Sequence, residues 1–166
     1  MAIHIFALNK LYNIMQKETI KPFDFIGISV STTNQNNQAA RDIGQLWDTF
    51  VKENIAAEIP NKLDETVLAV YTNYEGDHTM PYDTIVGCKV SSLDHIPEGL
   101  TGYAFDGGTY SKFVSKGDIT KGSVYNTWLE IWQQNLDRKY TADFEVYDER
   151  SKDLTNAEVD IFISTI

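Results

Sequence analysis

Asp143-Phe144-Glu145-Val146-Tyr147 is the segment whose residue types and spacing could do chemistry. On a strand, alternation puts Asp143, Glu145 and Tyr147 on one face and Phe144 and Val146 on the other. If the first face is buried, an unpaired carboxylate at Glu145 tends to protonate, because desolvation disfavours its charge. A cationic ligand would restore the charged form and supply the missing partner, so affinity would rise with pH through the shifted pKa. On an exposed edge strand Glu145 is instead an ordinary solvated carboxylate. The residues alone leave both readings open.

The other chemistry-bearing positions carry less. Gly107-Gly108 is followed by no Lys-Ser/Thr, and no Gly-x-Gly-x-x-Gly is present, so a phosphate loop is not indicated. Those glycines suit a bulge or a close backbone approach. His4, His78 and His95 are scattered; His78 has Asp77 beside it, but adjacent side chains in one polar turn seldom converge on a metal. No metal and no cofactor are expected. No Gly-x-Ser-x-Gly elbow appears. Cys88, within Ile85-Val86-Gly87-Cys88-Lys89-Val90, reads as a small core residue of a strand, and a lone cysteine forms no intramolecular disulfide.

These residues need a scaffold, and the chain is long enough to supply one. Its 166 residues are 42% hydrophobic and 12% aromatic, the profile of a single domain with a real core. Lys+Arg 14 against Asp+Glu 24 gives a formal charge of −10, with no basic cluster. That balance opposes direct nucleic-acid binding, which requires several phosphates to be neutralised. It favours solubility and the approach of a positively charged ligand. The start, Met1 to Leu8, is apolar but short and lacks a basic leader, and no stretch approaches the roughly 20 apolar residues of a membrane span. The expected compartment is the cytoplasm. Met15 is a second candidate start, so residues 1–20 read as an N-terminal appendage or a first strand, and 21–166 as one domain.

Along that domain, Phe23 to Thr33 reads as a strand and the Asn-Gln run from Asn34 to Gln38 as a loop. Arg41 to Asn54 carries Ile43, Leu46, Trp47, Phe50 and Val51 at helical spacing. Thr66 to Tyr74 and Asp83 to Ser92 read as strands. The order then repeats: Tyr103 to Val114 extended and interrupted by Gly107-Gly108, Val124 to Leu136 helical, Asp143 to Tyr147 and Glu158 to Thr165 extended. Two strand–helix–strand–strand units, about 23–92 and 102–165, predict an α+β fold with a mainly antiparallel sheet, two covering helices and a cleft between the halves.

Five segments, in order, resemble the GyrI-like family, the effector-binding domain attached to some AraC-type and MerR-type regulators. Phe25-Ile26-Gly27-Ile28 is similar to its opening strand and Ile43-Gly44-Gln45-Leu46-Trp47 to its first helix. Ala69 to Tyr74 with Tyr82 and Val86-Gly87 resembles the central hairpin. Phe105 to Tyr110 with Phe113 and Gly117 resembles the Gly-Gly-x-Tyr segment, and Arg138-Lys139-Tyr140 with Asp143 to Tyr147 the late acidic-aromatic strand. The resemblance covers about residues 20 to 166. Only about twenty residues precede it, too few for the helix-turn-helix reader that many relatives carry.

The resemblance implies that Glu145 matches the buried glutamate that faces cationic drugs, and it singles out Tyr71, Tyr110, Trp128 and Tyr147 as further ligand-binding residues. Aromatic faces attract cations by about 0.5–1 kcal/mol when exposed and about 2 when desolvated. For Trp128 and Tyr147 pocket and core are equal readings; Trp47 and Trp132, on plain aliphatic stripes, read as core. The implied function is binding of a cationic or amphipathic small molecule, as a sensor, a transcription-regulator component or a sequestering protein. The alternatives are a hydrolase of reactive small molecules, with Glu145 as acid or base assisted by Tyr110 or Tyr147, and an acidic gyrase-inhibitor-like module. A protein partner or a homodimer through an edge strand stays open.

Overall fold

Period-two alternation folds the chain into one eight-stranded antiparallel sheet, described for residues 16–166 in a computed structural model. His4 and the alternative start Met15 lie outside the described residues. The strands are β1 (Gln16–Ile20), β2 (Phe23–Thr32), β3 (Val67–Thr72), β4 (Tyr82–Val90), β5 (Thr101–Phe105), β6 (Gly108–Gly117), β7 (Ala142–Tyr147) and β8 (Ala157–Ser164). The helices are α1 (Gln38–Lys52), the short α2 (Ile55–Glu58) and α3 (Ser123–Trp132). Across the sheet the order is β1-β6-β8-β7-β3-β4-β2-β5.

The duplicated α+β plan is visible in that order. In each half the last strand lies between the first and the middle one, as β2-β4-β3 and β6-β8-β7. The middle strands, β3 and β7, then pair antiparallel at the centre, with Ala69 opposite Glu145 and Tyr71 opposite Asp143. The extended stretch expected over Tyr103 to Val114, interrupted at Gly107-Gly108, is two strands, β5 and β6. β5 pairs with β2 of the first half, while β1 pairs with β6 of the second, so each half lends its leading strand to the other. Gly107 permits the crossover: it sits at φ +74, and a Cβ there would strike the Ile20 carbonyl oxygen. Gly107 is thus a close backbone approach, whereas Gly108 is distinguished by its φ of +134 alone. β1 and β5 form the two sheet edges.

α1 begins after Asn36 and Asn37, both in the left-handed region that asparagine tolerates. Its apolar positions bury Leu46 and Phe50 against the sheet. α3 does the same with Trp128 and Ile131, and ends at Trp132, four residues earlier than the periodicity predicts. Both helices pack on one face of the sheet, over Ile26, Ala69, Val86, Val159 and Ile161. The opposite face buries Phe25, Leu68, Val70, Phe105, Tyr110, Phe144 and Phe162, and among the described residues no helix covers it. It closes on itself: Phe23 lies 5.7 Å from Phe144 although two strands separate theirs. Cross-strand Gly27 and Gly87 allow this curl, since a Cβ on either would strike the other strand's backbone. Each buried phenylalanine there contributes on the order of 1.5–3 kcal/mol. Cys88 is buried in the helix-side core. Among the described residues no helix is long and apolar enough to cross a membrane.

Candidate ligand-binding cleft

Two helices on one face of a sheet leave a trough between them, and here it runs over the central β3–β7 pair. The cleft encloses about 340 Å³. α1 supplies one wall through Ala40, Ile43, Gly44 and Trp47, and α3 the other through Val124, Tyr125, Trp128 and Trp132. Tyr71, Glu145 and Tyr147 form the floor, and Tyr74, His78, Tyr82 and Arg138 close one end.

Glu145 is the one floor residue with a charge, and it is 2% exposed. The Tyr71 hydroxyl donates to Oε2 at 3.0 Å, the Trp128 indole N–H donates to Oε2 at 2.6 Å, and the Tyr147 hydroxyl donates to Oε1 at 2.7 Å. All three donors are neutral, and no described Lys, Arg or His forms a salt bridge to Glu145. Burial pushes the Glu145 carboxyl above its ordinary range, and the three hydrogen bonds only partly oppose it. Burial first, then the Glu145 charge, raises Tyr71 and Tyr147 well above the usual phenol range, so both remain donors. Ala69, fully buried opposite Glu145, adds no side chain that could fill the space.

The rings are held mutually edge-on. Trp47 meets Tyr147 at 4.8 Å and 73°, and Tyr71 meets Trp128 at 5.5 Å and 85°. His78 stacks on Trp132 at 5.4 Å and 12°; burial, then Arg138, lowers its pKa. Such a lining offers several π faces around one buried carboxylate, which is the chemistry that holds a lipophilic cation. Among the described residues no group of three or more His, Cys, Asp or Glu could hold a metal ion.

The structure thus brings together Glu145, Tyr71, Trp128 and Tyr147, four of the five residues singled out in the sequence. Tyr110 is placed elsewhere, on the opposite sheet face, its ring 5.5 Å from Phe144 and 6.5 Å from Phe162. Trp47 and Trp132, read as plain core, both line the cleft. Sequence reasoning passed over Gly44, Tyr74 and His78 as cleft residues. Gly44 did carry a signal, because glycine inside a helix costs about 1 kcal/mol relative to alanine and so calls for a reason.

Residues 18–164 match the family model for the Cass2 integron-associated effector-binding protein. The Bacillus subtilis candidate transcriptional regulator YobU is 30% identical over 145 residues, covering 84% of this chain and 90% of that one. An integron cassette protein from the mobile metagenome of Vibrio cholerae has a crystal structure with 30% identity and a TM-score of 0.72, over 92% of this chain and 96% of that one. The structure of a protein bound to tetraphenylphosphonium shares the fold at 18% identity and a TM-score of 0.74, over 90% of this chain and 92% of that one.

Proposed function

The chain belongs to the integron-associated effector-binding protein family, and on that premise we propose that its cleft captures a lipophilic organic cation. Glu145 is the counter-charge, and Tyr71, Trp128 and Tyr147 hold that carboxylate and offer their rings to the ligand. The single observation that carries this reading is a buried carboxylate surrounded by neutral donors and aromatic faces, with no salt-bridge partner among the described residues. A bound cation supplies what the fold withholds. The acidic surface, at −10, draws such ligands in and works against direct contact with nucleic acid. The protein then serves in the cytoplasm as a sensor, as a regulator component of the kind YobU is named for, or as a sequestering protein.

The relative bound to tetraphenylphosphonium makes that cation the first probe. With Trp128, Trp132 and Trp47 all on the cleft, intrinsic fluorescence reports occupancy directly. Saturable quenching by tetraphenylphosphonium is expected, with none from neutral triphenylphosphine oxide. Glu145→Gln should weaken the cation by about 2–5 kcal/mol, since it truncates one partner of a buried charge pair. Equal affinity in wild type and Glu145→Gln, or no saturable binding to wild type, would overturn the proposal.

A further inference from the structure

Gly44 lies in the middle of α1, within fifteen helical residues that include no other glycine. Ala40 and Trp47, one turn to either side, face the cleft with it. A Cβ built on Gly44 meets nothing within 4 Å. No backbone approach therefore demands glycine here, in contrast to Gly27, Gly87 and Gly107, where a Cβ would strike main chain. No unusual dihedral demands it either, since Gly44 is absent from the glycines with positive φ. A helix interior without either demand is better served by alanine or leucine. What remains distinctive about the position is the space beside it, between Trp47 on the same helix and Trp128 across the cleft.

We propose that Gly44 determines ligand size: it keeps the α1 wall low, so that the cleft admits a bulky cation with several rings around its charge. The proposal rests on the cation reading above and deepens it by naming the ligand's shape. Three features act together. The charge sits at the floor with Glu145, so a ligand must reach down past the walls. The α3 wall is built high by Trp128 and Trp132. On the α1 wall Ala40 offers only a methyl and Gly44 no side chain at all, between the larger Ile43 and Trp47, which leaves lateral room for a second or third ring. A side chain at 44 would project into that room and meet a bulky ligand before it reached Glu145.

The test compares tetraphenylphosphonium with the slender cation benzyltrimethylammonium, on wild type, Gly44→Ala and Gly44→Leu. Overpacking the wall with leucine should weaken tetraphenylphosphonium by about tenfold or more. Benzyltrimethylammonium should stay within about threefold of wild type, and alanine should fall between for the bulky cation. Helix propensity predicts that both variants melt about 2–4 °C above wild type, which excludes misfolding as the cause of lost affinity. Unchanged tetraphenylphosphonium affinity in Gly44→Leu, or equal loss of both cations, would overturn the proposal while leaving the cation reading intact. Wild type that binds neither cation would instead sink the cation reading, and this one with it.

Discussion

Asp143 and Glu145 stand two residues apart on one face of β7, and both are buried carboxylates. Their surroundings differ in one respect. Asp143 has its own cation: the Arg138 Nη2 donates to Oδ2 at 2.7 Å, joined there by the Tyr74 hydroxyl at 2.7 Å, while the Ser164 backbone N–H donates to Oδ1 at 2.8 Å. The Arg138 guanidinium in turn lies 4.3 Å from the centre of the Tyr140 ring and 6.0 Å from that of Tyr74. Carboxylate, cation and aromatic faces are thus assembled within the chain. Glu145 has the carboxylate and the aromatic faces but, among the described residues, no salt-bridging cation. The first site is complete as folded, and the second has the form of a site completed by a ligand. Burial pushes both carboxyls upward, and only at Asp143 does a guanidinium pull back.

The largest effect should come from opening the complete site. Asp143→Ala leaves Arg138 as a buried charge, 7% exposed, without its partner, and should cost about 3–5 kcal/mol in urea denaturation. Glu145→Gln should do the opposite, because it removes a charge that the fold does not pair. A raised folded-state pKa gives stability that is full below the unfolded value and lost as pH rises through the folded one. At neutral pH the glutamine variant should therefore melt at or above the wild-type temperature. Equal destabilisation by both substitutions would erase the distinction between the two sites.

A smaller effect should follow pH. Cation binding favours ionised Glu145, so affinity should be highest above its raised pKa and fall by up to about tenfold per unit as pH drops below it. His78, whose pKa is lowered by burial and then by Arg138, stays neutral further into the acid range than an ordinary histidine, and once protonated it adds a charge of the wrong sign to the cleft. Isothermal titration across the acid range should show the main slope in wild type and lose it in Glu145→Gln. A flat wild-type profile would mean that Glu145 is not the titrating partner.

The smallest effects separate the two sheet faces. Tyr71→Phe removes one neutral donor from Glu145, raises its pKa further and should weaken cation binding several-fold, about 1 kcal/mol. Tyr110→Phe acts on the far side of the sheet and should leave affinity unchanged. A loss with Tyr110→Phe matching that with Tyr71→Phe would break the assignment of the cleft to the helix face.

What the sequence determined by itself is local. Apolar spacing near 3.6 placed α1 and α3, and alternation placed the strands, put Glu145 and Tyr147 on one face, and revealed the doubled order of elements. Five family-like segments pointed to the effector-binding fold that the family match bears out. What only the tertiary structure decided depends on which strand lies beside which. Tyr71 and Glu145 are 74 residues apart and meet only because β3 and β7 pair in one register. Tyr110 shares the composition of a cleft residue, but the β6–β8 pairing points its ring at Phe144 and Phe162 instead. Trp47 and Trp132 lie on stripes that look like plain core, and they line a cleft because the two helices sit apart rather than in contact. The exchange of β1 and β5 is likewise a matter of pairing: Gly107-Gly108 marks the interruption in the sequence, but which strand lies beside each piece is decided only in the sheet. Periodicity fixes which way a side chain points relative to its own backbone, whereas burial, pairing and the missing cation at Glu145 are set by the neighbours that folding brings to it.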